Sequence, residues 1–567
     1  MTKRLTVLLD VIRRYSVSRL HDYVFLWISR LRWLICVRGQ QMKWRLVVCV
    51  LIGISTFLST MGADASDGFQ PLVGTWMMQP PSLPGVVNRD FLTFKVVAGR
   101  AVGIFRSEPL GLSYPIGNVR IAGDAVSFRV GSEADGEVRW AGRFRTRNEL
   151  EIHRIPTHKT SEAAEDLPVV IFRSASEAEI SKVRAGAKDL VMRRTNLPQL
   201  RDLPPNGMAL SPPMGWSSWN HFATSIAEGD VRATADALVA TGLREAGYVY
   251  VNIDDGWQGS RDRHGVLRAN SKFPDMKALA DYVHSRGLKI GIYSSPGPLT
   301  CGGYVGSRGH ESQDAETFAR WGIDYLKYDW CSAGLIYKTQ SEMQAAYQKM
   351  GAALQRTGRP IVYSLCQYGL FEVGSWGRKV GGNLWRISDD ISDTYASIAN
   401  NGFEMSGVAD HTGPGGWNDP DMLEVGNGGM NPDEYRTQLT LWSTLAAPLL
   451  LGNDLRVMTA EIRAMLLNDE VIAIDQDPLG RQGQLRLKDE LLEVWTKPLA
   501  DSAVAVALFN RGTATMQAQV RWSDLGLSGR LAVRDLWKHE DLQDPGERYE
   551  TLLPPHGAAL LKVVALH

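Results

Sequence analysis

Short apolar runs alternate with Gly, Asn and Asp turns between about residues 69 and 175: Phe91 to Val97, Ala101 to Phe105, Ala125 to Val130, Val138 to Phe144, Leu150 to His153 and Val169 to Phe172. Runs of this length between turn formers predict an all-β module over 66–175. A polar helical stretch, Ser176 to Met192, and a proline-containing linker, Leu197 to Pro205, follow and set a boundary at 206. From Met208 to about Gln482 the pattern changes, with apolar strands alternating with amphipathic helices of period 3.6. Strands are expected at Met214 to Trp219, Tyr248 to Asp254, Lys289 to Ser294, Asp324 to Asp329, Ile361 to Cys366, Leu384 to Asp390, Gly416 to Asp419 and Ala447 to Leu451. Helices are expected between the early ones, at Gly229 to Glu245, Asp275 to Arg286, His310 to Trp321 and Thr339 to Thr357. Eight such units predict an α/β fold, a (β/α)8 TIM barrel over 206–482. An open doubly wound sheet would need a glycine-rich turn after its first strand; the nearest candidate, Gly413-Pro414-Gly415-Gly416, runs into Trp417-Asn418 and opens no helix. After about Asp489 the β pattern returns in Leu491 to Leu499, Ala503 to Phe509, Thr515 to Trp522, Leu531 to Trp537 and Ala558 to Val564, predicting a C-terminal antiparallel β-sandwich over 483–567.

One apolar run stands apart. Lys43 and Arg45 precede Leu46 to Leu58, and Ala63-Asp64-Ala65 gives a small-x-small cleavage site, the order of a secretory signal. The run is well short of the roughly 20 residues needed to span a bilayer, so a stable membrane anchor is not expected. Met42 is the expected start, residues 1–65 form a leader, and the mature protein is expected to be secreted or periplasmic. Residues 1–45 hold about ten Lys and Arg against two Asp and Glu, and the rest of the chain is mildly acidic. Over all 567 residues Lys plus Arg equals Asp plus Glu at 62 each, which leaves no basic excess to neutralise a nucleic-acid backbone. Cys36 and Cys49 leave with the leader; Cys301, Cys331 and Cys366 remain, enough for one pair and one buried thiol. Neither the cysteine nor the histidine spacings fit a metal site, and no cofactor is implied.

The active site of a (β/α)8 barrel lies at the C-terminal ends of its strands. Those ends here carry Trp216 and Trp219, Asp254-Asp255-Gly256-Trp257, Tyr293, Lys327-Tyr328-Asp329, Gln367, Trp385-Arg386 with Asp389-Asp390, and Trp417-Asn418-Asp419. A single strand-end Asp is as often a helix cap as a catalyst, but several strands ending in carboxylates are less easily structural. Carboxylates among tryptophans, without a phosphate loop or a Ser/His pair, point to glycoside chemistry, where one carboxyl attacks or activates water and another protonates the leaving oxygen. Strand parity puts Lys327 on the face of Asp329, where an ammonium would keep that carboxylate ionised, and puts Arg386 on the face of Asp390.

Pro212-Pro213-Met214-Gly215-Trp216-Ser217-Ser218-Trp219-Asn220, Asp254-Asp255-Gly256-Trp257, Lys327-Tyr328-Asp329-Trp330-Cys331, Trp385-Arg386 followed by Asp390, and Gly413 to Met422 occur in that order. Together they resemble glycoside hydrolase family 27, the melibiases, which includes α-galactosidases and α-N-acetylgalactosaminidases. The resemblance runs from about 210 to 480 and extends to the C-terminal sandwich, leaving the N-terminal module outside it. It implies a retaining double displacement on an α-galactoside oligosaccharide or polysaccharide, with Asp329 as nucleophile and Asp390 as acid/base. It implies sugar-binding positions at Trp219, Asp254, Asp255, Lys327 and Arg386, and pocket positions at Tyr293, Cys301, Cys331, Asp421 and Met422. It also implies a Cys301–Cys331 disulfide. The departure is at Gln367 and Tyr368, where α-galactosidases commonly carry Glu and Trp in a segment that meets the sugar's 2-substituent. Other activities of the family, namely α-N-acetylgalactosaminidase, β-L-arabinopyranosidase and isomaltose-releasing dextranase, are the alternatives. From a different class, so is a non-catalytic carbohydrate-binding protein on the same scaffold.

Overall fold

The structure, a computed structural model, describes residues 69–78, 90–107, 112–131, 138–155, 169–182 and 196–566. The expected leader lies outside them, as does the expected linker helix beyond residue 182. The N-terminal module is a closed antiparallel barrel of eight strands in sequence order, shut where Gly74–Met78 pairs with both Asp90–Val97 and Val169–Ser174. Trp76, Leu92, Phe94, Ile116, Phe128, Leu150, Ile152 and Phe172 fill its interior. Two strands add to the six apolar runs. One is Gly74–Met78; the other is Leu112–Ala122, where Pro115, Gly117 and Asn118, the last at φ 51°, interrupt the apolar alternation.

Eight parallel strands follow: Met214–Ser217, Tyr250–Asn252, Lys289–Ser294, Tyr325–Asp329, Val362–Cys366, Leu384–Arg386, Trp417–Asp419 and Leu449–Leu451. Each of the first six bonds to its successor, and the eighth returns to pair with the first. Leu423 bridges the remaining gap between the seventh and eighth: its N–H donates to Leu450 O and its carbonyl accepts from Gly452 N–H, both at 2.8 Å. Helices between the strands begin where the sequence places caps. Asp275 accepts from Ala278 N–H ahead of Met276–Ser285, and Thr339 forms a capping box with Glu342 ahead of Gln340–Arg356. Asn431 does the same with Glu434 ahead of Pro432–Leu445, with Pro432 in the first turn, where it lacks no needed donor. The first and second strands approach closely at Gly215, where a Cβ would lie 2.3 Å from Tyr250 O.

The C-terminal sandwich joins a six-stranded sheet to a two-stranded one, Met516–Arg521 with Arg548–Leu553. Arg548–Leu553, Gln484–Asp489 and Glu540–Asp541 add to the five expected strands. On the strand Val504–Asn510 the period of two sends Ala505, Ala507 and Phe509 into the hydrophobic core shared with the (β/α)8 barrel, and Val506 and Leu508 into the sandwich's own core.

Lys497, on the strand Leu492–Pro498, is fully buried in this seam. Its ammonium donates to Ser443 O at 3.0 Å and Ile474 O at 2.5 Å, in the last turns of helices Pro432–Leu445 and Asp469–Asp475. Carbonyls in a last helical turn are unpaired within the helix and carry partial negative charge, so a cation fits there. Burial nonetheless brings the Lys497 pKa down to about 8, with Asp475 and Asp477 resisting. Lys497→Met keeps the length of the side chain and removes the donor, and is expected to cost about 3 kcal/mol. A urea midpoint equal to that of the parent protein would refute this role for the seam.

Candidate active site

The C-terminal ends of the strands converge on one acidic cluster. Past the second strand, Asp254 and Asp255 are both buried, and each is bound into the turn by main-chain donors. Asp254 Oδ1 accepts from Asp255 N–H at 2.8 Å; Asp255 accepts from Gly256 N–H at 3.0 Å and from Gly302 N–H at 2.5 Å. Burial pushes Asp255 up to about 7; Asp254 and Asp329 push the same way, and the Gly302 and Thr300 donors draw it back. From the fourth strand Lys327 reaches Asp254 at 2.8 Å. Burial opposes its charge, but Asp254, Asp329 and Asp421 more than offset this and hold the ammonium well above its ordinary pKa.

Lys327 thus bonds to Asp254 rather than to Asp329, and the charge that parity places on the face of Asp329 lowers that carboxylate through space. The groups that hold Asp329 are neutral. Oδ1 accepts from Trp330 N–H at 2.7 Å and the Tyr368 hydroxyl at 2.8 Å, and Oδ2 accepts from the Tyr293 hydroxyl at 3.0 Å. Burial raises Asp329 to about 6 and the charge of Asp390 adds to this, while Lys327 and the Tyr368 bond pull it down. Both tyrosines are held well above their ordinary pKa, first by burial and next by Asp329, so they stay protonated as donors.

Cys301 and Cys331 form a disulfide with Cα atoms 5.0 Å apart, within the reach such a bond requires. Cys331 Sγ is 3.2 Å from the Tyr293 hydroxyl and Cys301 Sγ is 3.8 Å from Asp329 Oδ2, so the bridge forms one wall beside this carboxylate. Bridged sulfurs offer no thiolate, so their closeness to Asp329 does not make a metal site. Cys366 is the free thiol among the described residues, and it is buried; burial and then Asp329 push it well above its ordinary pKa, and Arg386 Nη1 lies 3.7 Å from its sulfur.

The sixth strand ends at Arg386, earlier than the expected Asp390; its last rung is the bond from Ile387 N–H to Asp419 O on the seventh strand. Arg386 and Asp390 thus do not share a strand face. The buried guanidinium instead reaches forward from the strand end, with Nη2 at 3.0 Å from Asp390 Oδ1 and Nη1 at 3.1 Å from Asp421 Oδ1. Asp390 itself has a side chain 67% exposed. Asp421, at φ 85°, also accepts from Ile391 N–H at 2.8 Å, and so ties the loop of Asp390 to the seventh strand. Gln367 is buried; its Nε2 is 3.5 Å from Arg386 O, and its Oε1 has no hydrogen-bond partner among the described residues. Met422 is buried beside Asp421, and Trp219 opens the short helix Trp219–Phe222, half-buried against the barrel core.

Two sets of groups here escape a reading of side chains along the sequence. The amides of Gly302 and Trp330 leave no side-chain signal. Tyr368 is visible as a departure from the usual Trp, yet its hydroxyl could not be placed on Asp329 without the backbone turn that carries it.

A family model described as alpha galactosidase A matches residues 211–477, and one for the alpha galactosidase C-terminal beta sandwich matches 489–563. Alpha-galactosidase 2 of Arabidopsis thaliana is 47% identical over 64% of this chain and 91% of its own length. The chain belongs to glycoside hydrolase family 27, the alpha-galactosidase A family. Among solved structures, alpha-galactosidase I from Mortierella vinacea superposes with TM-score 0.62 at 38% identity, covering 64% of this chain and 98% of that one. The alpha-galactosidase of Saccharomyces cerevisiae with raffinose gives 0.59 at 29%, covering 64% and 100%. The enzyme is a glycoside hydrolase, and its N-terminal β-barrel lies outside both matched segments.

With Asp329, at about 6, in the nucleophile role that the family resemblance implies, kcat/KM is expected to fall as pH drops through about 6. Lys327→Met removes a charge that holds Asp329 down and should move that acidic limb upward. A limb that stays in place, measured with the free-enzyme parameter kcat/KM, would contradict the through-space role of Lys327.

Proposed function

We propose that the enzyme is a retaining exo-glycosidase that removes terminal α-galactosyl residues from oligosaccharides or polysaccharides by double displacement. The observation that carries this reading is the contrast between its two carboxylates. Asp329 is buried and fixed by three donors, as a nucleophile that must meet one carbon at one angle requires. Asp390 is largely exposed and held at the site by Arg386, as suits a group that passes protons to a leaving oxygen and takes them from water. Its charge is felt by Asp329, so the two lie within electrostatic reach of each other.

The sugar is inferred from the α-galactosidase relatives, and an oligosaccharide substrate from the raffinose complex of the yeast neighbour. In this reading Asp254 and Asp255, with Lys327, receive the axial 4-hydroxyl and the 6-hydroxyl. The unpartnered Oε1 of Gln367 accepts the 2-hydroxyl, since a buried acceptor without a donor is costly until a ligand supplies one. Trp219, Tyr293, Arg386, Asp421 and Met422 complete the pocket. Export to the extracellular space or periplasm belongs to the same proposal. It is supported by the signal-like run before Ala65 and by a disulfide of the kind that persists in oxidising compartments.

Initial rates across α-galactoside, α-N-acetylgalactosaminide, β-L-arabinopyranoside and α-glucoside substrates test the sugar. The α-galactoside is expected to have the highest kcat/KM. Comparable rates on the N-acetylated sugar would overturn the role of Gln367, and a faster rate on the arabinopyranoside would overturn that of the Asp pair. Asp329→Asn should abolish hydrolysis of a nitrophenyl α-galactoside, an outcome that a carbohydrate-binding protein with adventitious activity would not give. Asp390→Ala should spare activated aryl glycosides more than natural ones, because a good leaving group needs less protonation. Equal losses on both would remove Asp390 from the acid/base role.

A further inference from the structure

Asp329 does not present its two oxygens alike. Trp330 N–H and the Tyr368 hydroxyl, at 2.7 and 2.8 Å, occupy Oδ1, while the Tyr293 hydroxyl, at 3.0 Å, is the one hydrogen-bond donor on Oδ2 among the described residues. Each carboxylate oxygen has about two lone-pair sites, so Oδ1 is filled and Oδ2 keeps one open. The backbone delivers Tyr368 to this place by an uncommon route. Tyr368 has φ 61° and Gly369 φ 78°, two successive left-handed residues, and Gly369 N–H donates to Arg386 O at 3.1 Å. A Cβ at residue 369 would lie 2.5 Å from Ile387 O, so only glycine lets the turn pack this tightly. A left-handed tyrosine is strained, and such strain persists where the surroundings over-determine it. Here the surroundings are the Asp329 oxygen at one end of the ring and the Arg386 guanidinium 5.6 Å from its centroid.

We infer that Tyr368 is a positioning residue acting through Asp329: its hydroxyl fixes Oδ1 as the spectator oxygen, aims Oδ2 at the anomeric carbon, and assists the second displacement in preference to the first. This rests on the proposed reading of Asp329 as nucleophile. In the first displacement an electron pair of Oδ2 forms the bond to the anomeric carbon. The bond to the leaving oxygen breaks, and that oxygen takes the proton of Asp390. Oδ1 becomes an ester carbonyl and loses negative charge. In the second, a water oxygen bonds to the anomeric carbon and its proton goes to Asp390; the bond to Oδ2 breaks and its pair returns to Asp329. Charge on Oδ1 rises again. A hydrogen bond to an ionised acceptor is the stronger one, so a donor on Oδ1 weakens during the first step and strengthens during the second. Only an interaction that strengthens toward the transition state accelerates a step.

The test is rapid-mixing and steady-state kinetics of Tyr368→Phe with a nitrophenyl α-galactoside bearing a good leaving group. Deglycosylation should slow by roughly ten- to a hundredfold. A burst approaching one equivalent of phenolate is expected, with kcat and KM falling together and kcat/KM changing little at neutral pH. The acidic limb of kcat/KM should move upward, because the Tyr368 bond holds Asp329 down. The other groups facing Asp329 are unchanged in the variant: Lys327 on its own strand, Asp254 and Asp255 beyond the second, Tyr293 from the third, Cys366 from the fifth, Asp390 beyond the sixth and Tyr347 from the helix Gln340–Arg356. Tyr293→Phe, which strips Oδ2 instead, should give a burst as well, because charge leaves Oδ2 in the first step and returns to it in the second. Tyr368→Trp also lacks the hydroxyl and gives the same reading should the Phe variant not fold. An equal fall in kcat and kcat/KM without a burst, an unmoved acidic limb, or a burst in Tyr293→Phe alone would each overturn the inference. Asp329→Asn separates the two levels. Activity surviving that change refutes the nucleophile, whereas an inactive Asp329→Asn beside a burst-free Tyr368→Phe refutes only the role of Tyr368.

Discussion

Everything at the mouth of the (β/α)8 barrel is arranged around one electrostatic problem, the removal of several carboxylates from water within reach of each other. Asp254, Asp255, Asp329, Asp419 and Asp421 are all buried; Lys327 and Arg386 face them from within the barrel mouth, and Lys272 acts on Asp255. Burial above all, with the neighbouring carboxylates adding to it, pushes Asp255, Asp329 and Asp419 above the usual carboxylate range, and the cations offset this only in part. The remaining stabilisation comes from neutral donors, namely the amides of Gly302, Trp330 and Ile391 and the hydroxyls of Tyr293 and Tyr368. Such donors are fixed before any substrate arrives, which makes them useful to a reaction in which charge leaves a carboxylate and then returns to it.

The cations also have different duties. Lys327 is bonded to Asp254, so its first effect is on that carboxylate, and it acts on Asp329 through space. Arg386 spans Asp390 and Asp421, joining the sixth strand's end to the loop after the seventh. The two assignments place charge regulation at Asp329 and mechanical restraint at Asp390. A buried carboxylate and an exposed one are kept apart in character although both belong to one centre.

How far the sequence discloses this depends on what kind of group does the work. The strand Lys289–Ser294 is found where its apolar pattern puts it, and Asp275 and Thr339 mark the starts of their helices, because side-chain type and spacing are themselves the physical cause of those elements. The strand Leu112–Ala122 is not legible, since Pro115, Gly117 and Asn118 interrupt its pattern and only pairing on both sides makes it a strand. At the site, Asp254, Asp329, Arg386 and Asp390 are named by their motifs. Their partners are not. Parity joins Lys327 to Asp329, but side-chain reach joins it to Asp254. Parity likewise assumes a strand through Asp390 that stops at Arg386. Main-chain donors and a left-handed tyrosine have no signature in composition or period.

The seam between barrel and sandwich carries a consequence for how such a molecule could have been assembled. Ala505, Ala507 and Phe509 complete a core whose other half belongs to barrel helices, and Lys497 donates to a carbonyl in the last turn of two of those helices. Neither part has a finished surface of its own on that side. A gene rearrangement that parted them would expose an apolar face on both and strand an ammonium in it. Recombination is thus far more restricted at residue 482 than at an ordinary domain linker, and the catalytic barrel and its sandwich are constrained to be inherited together.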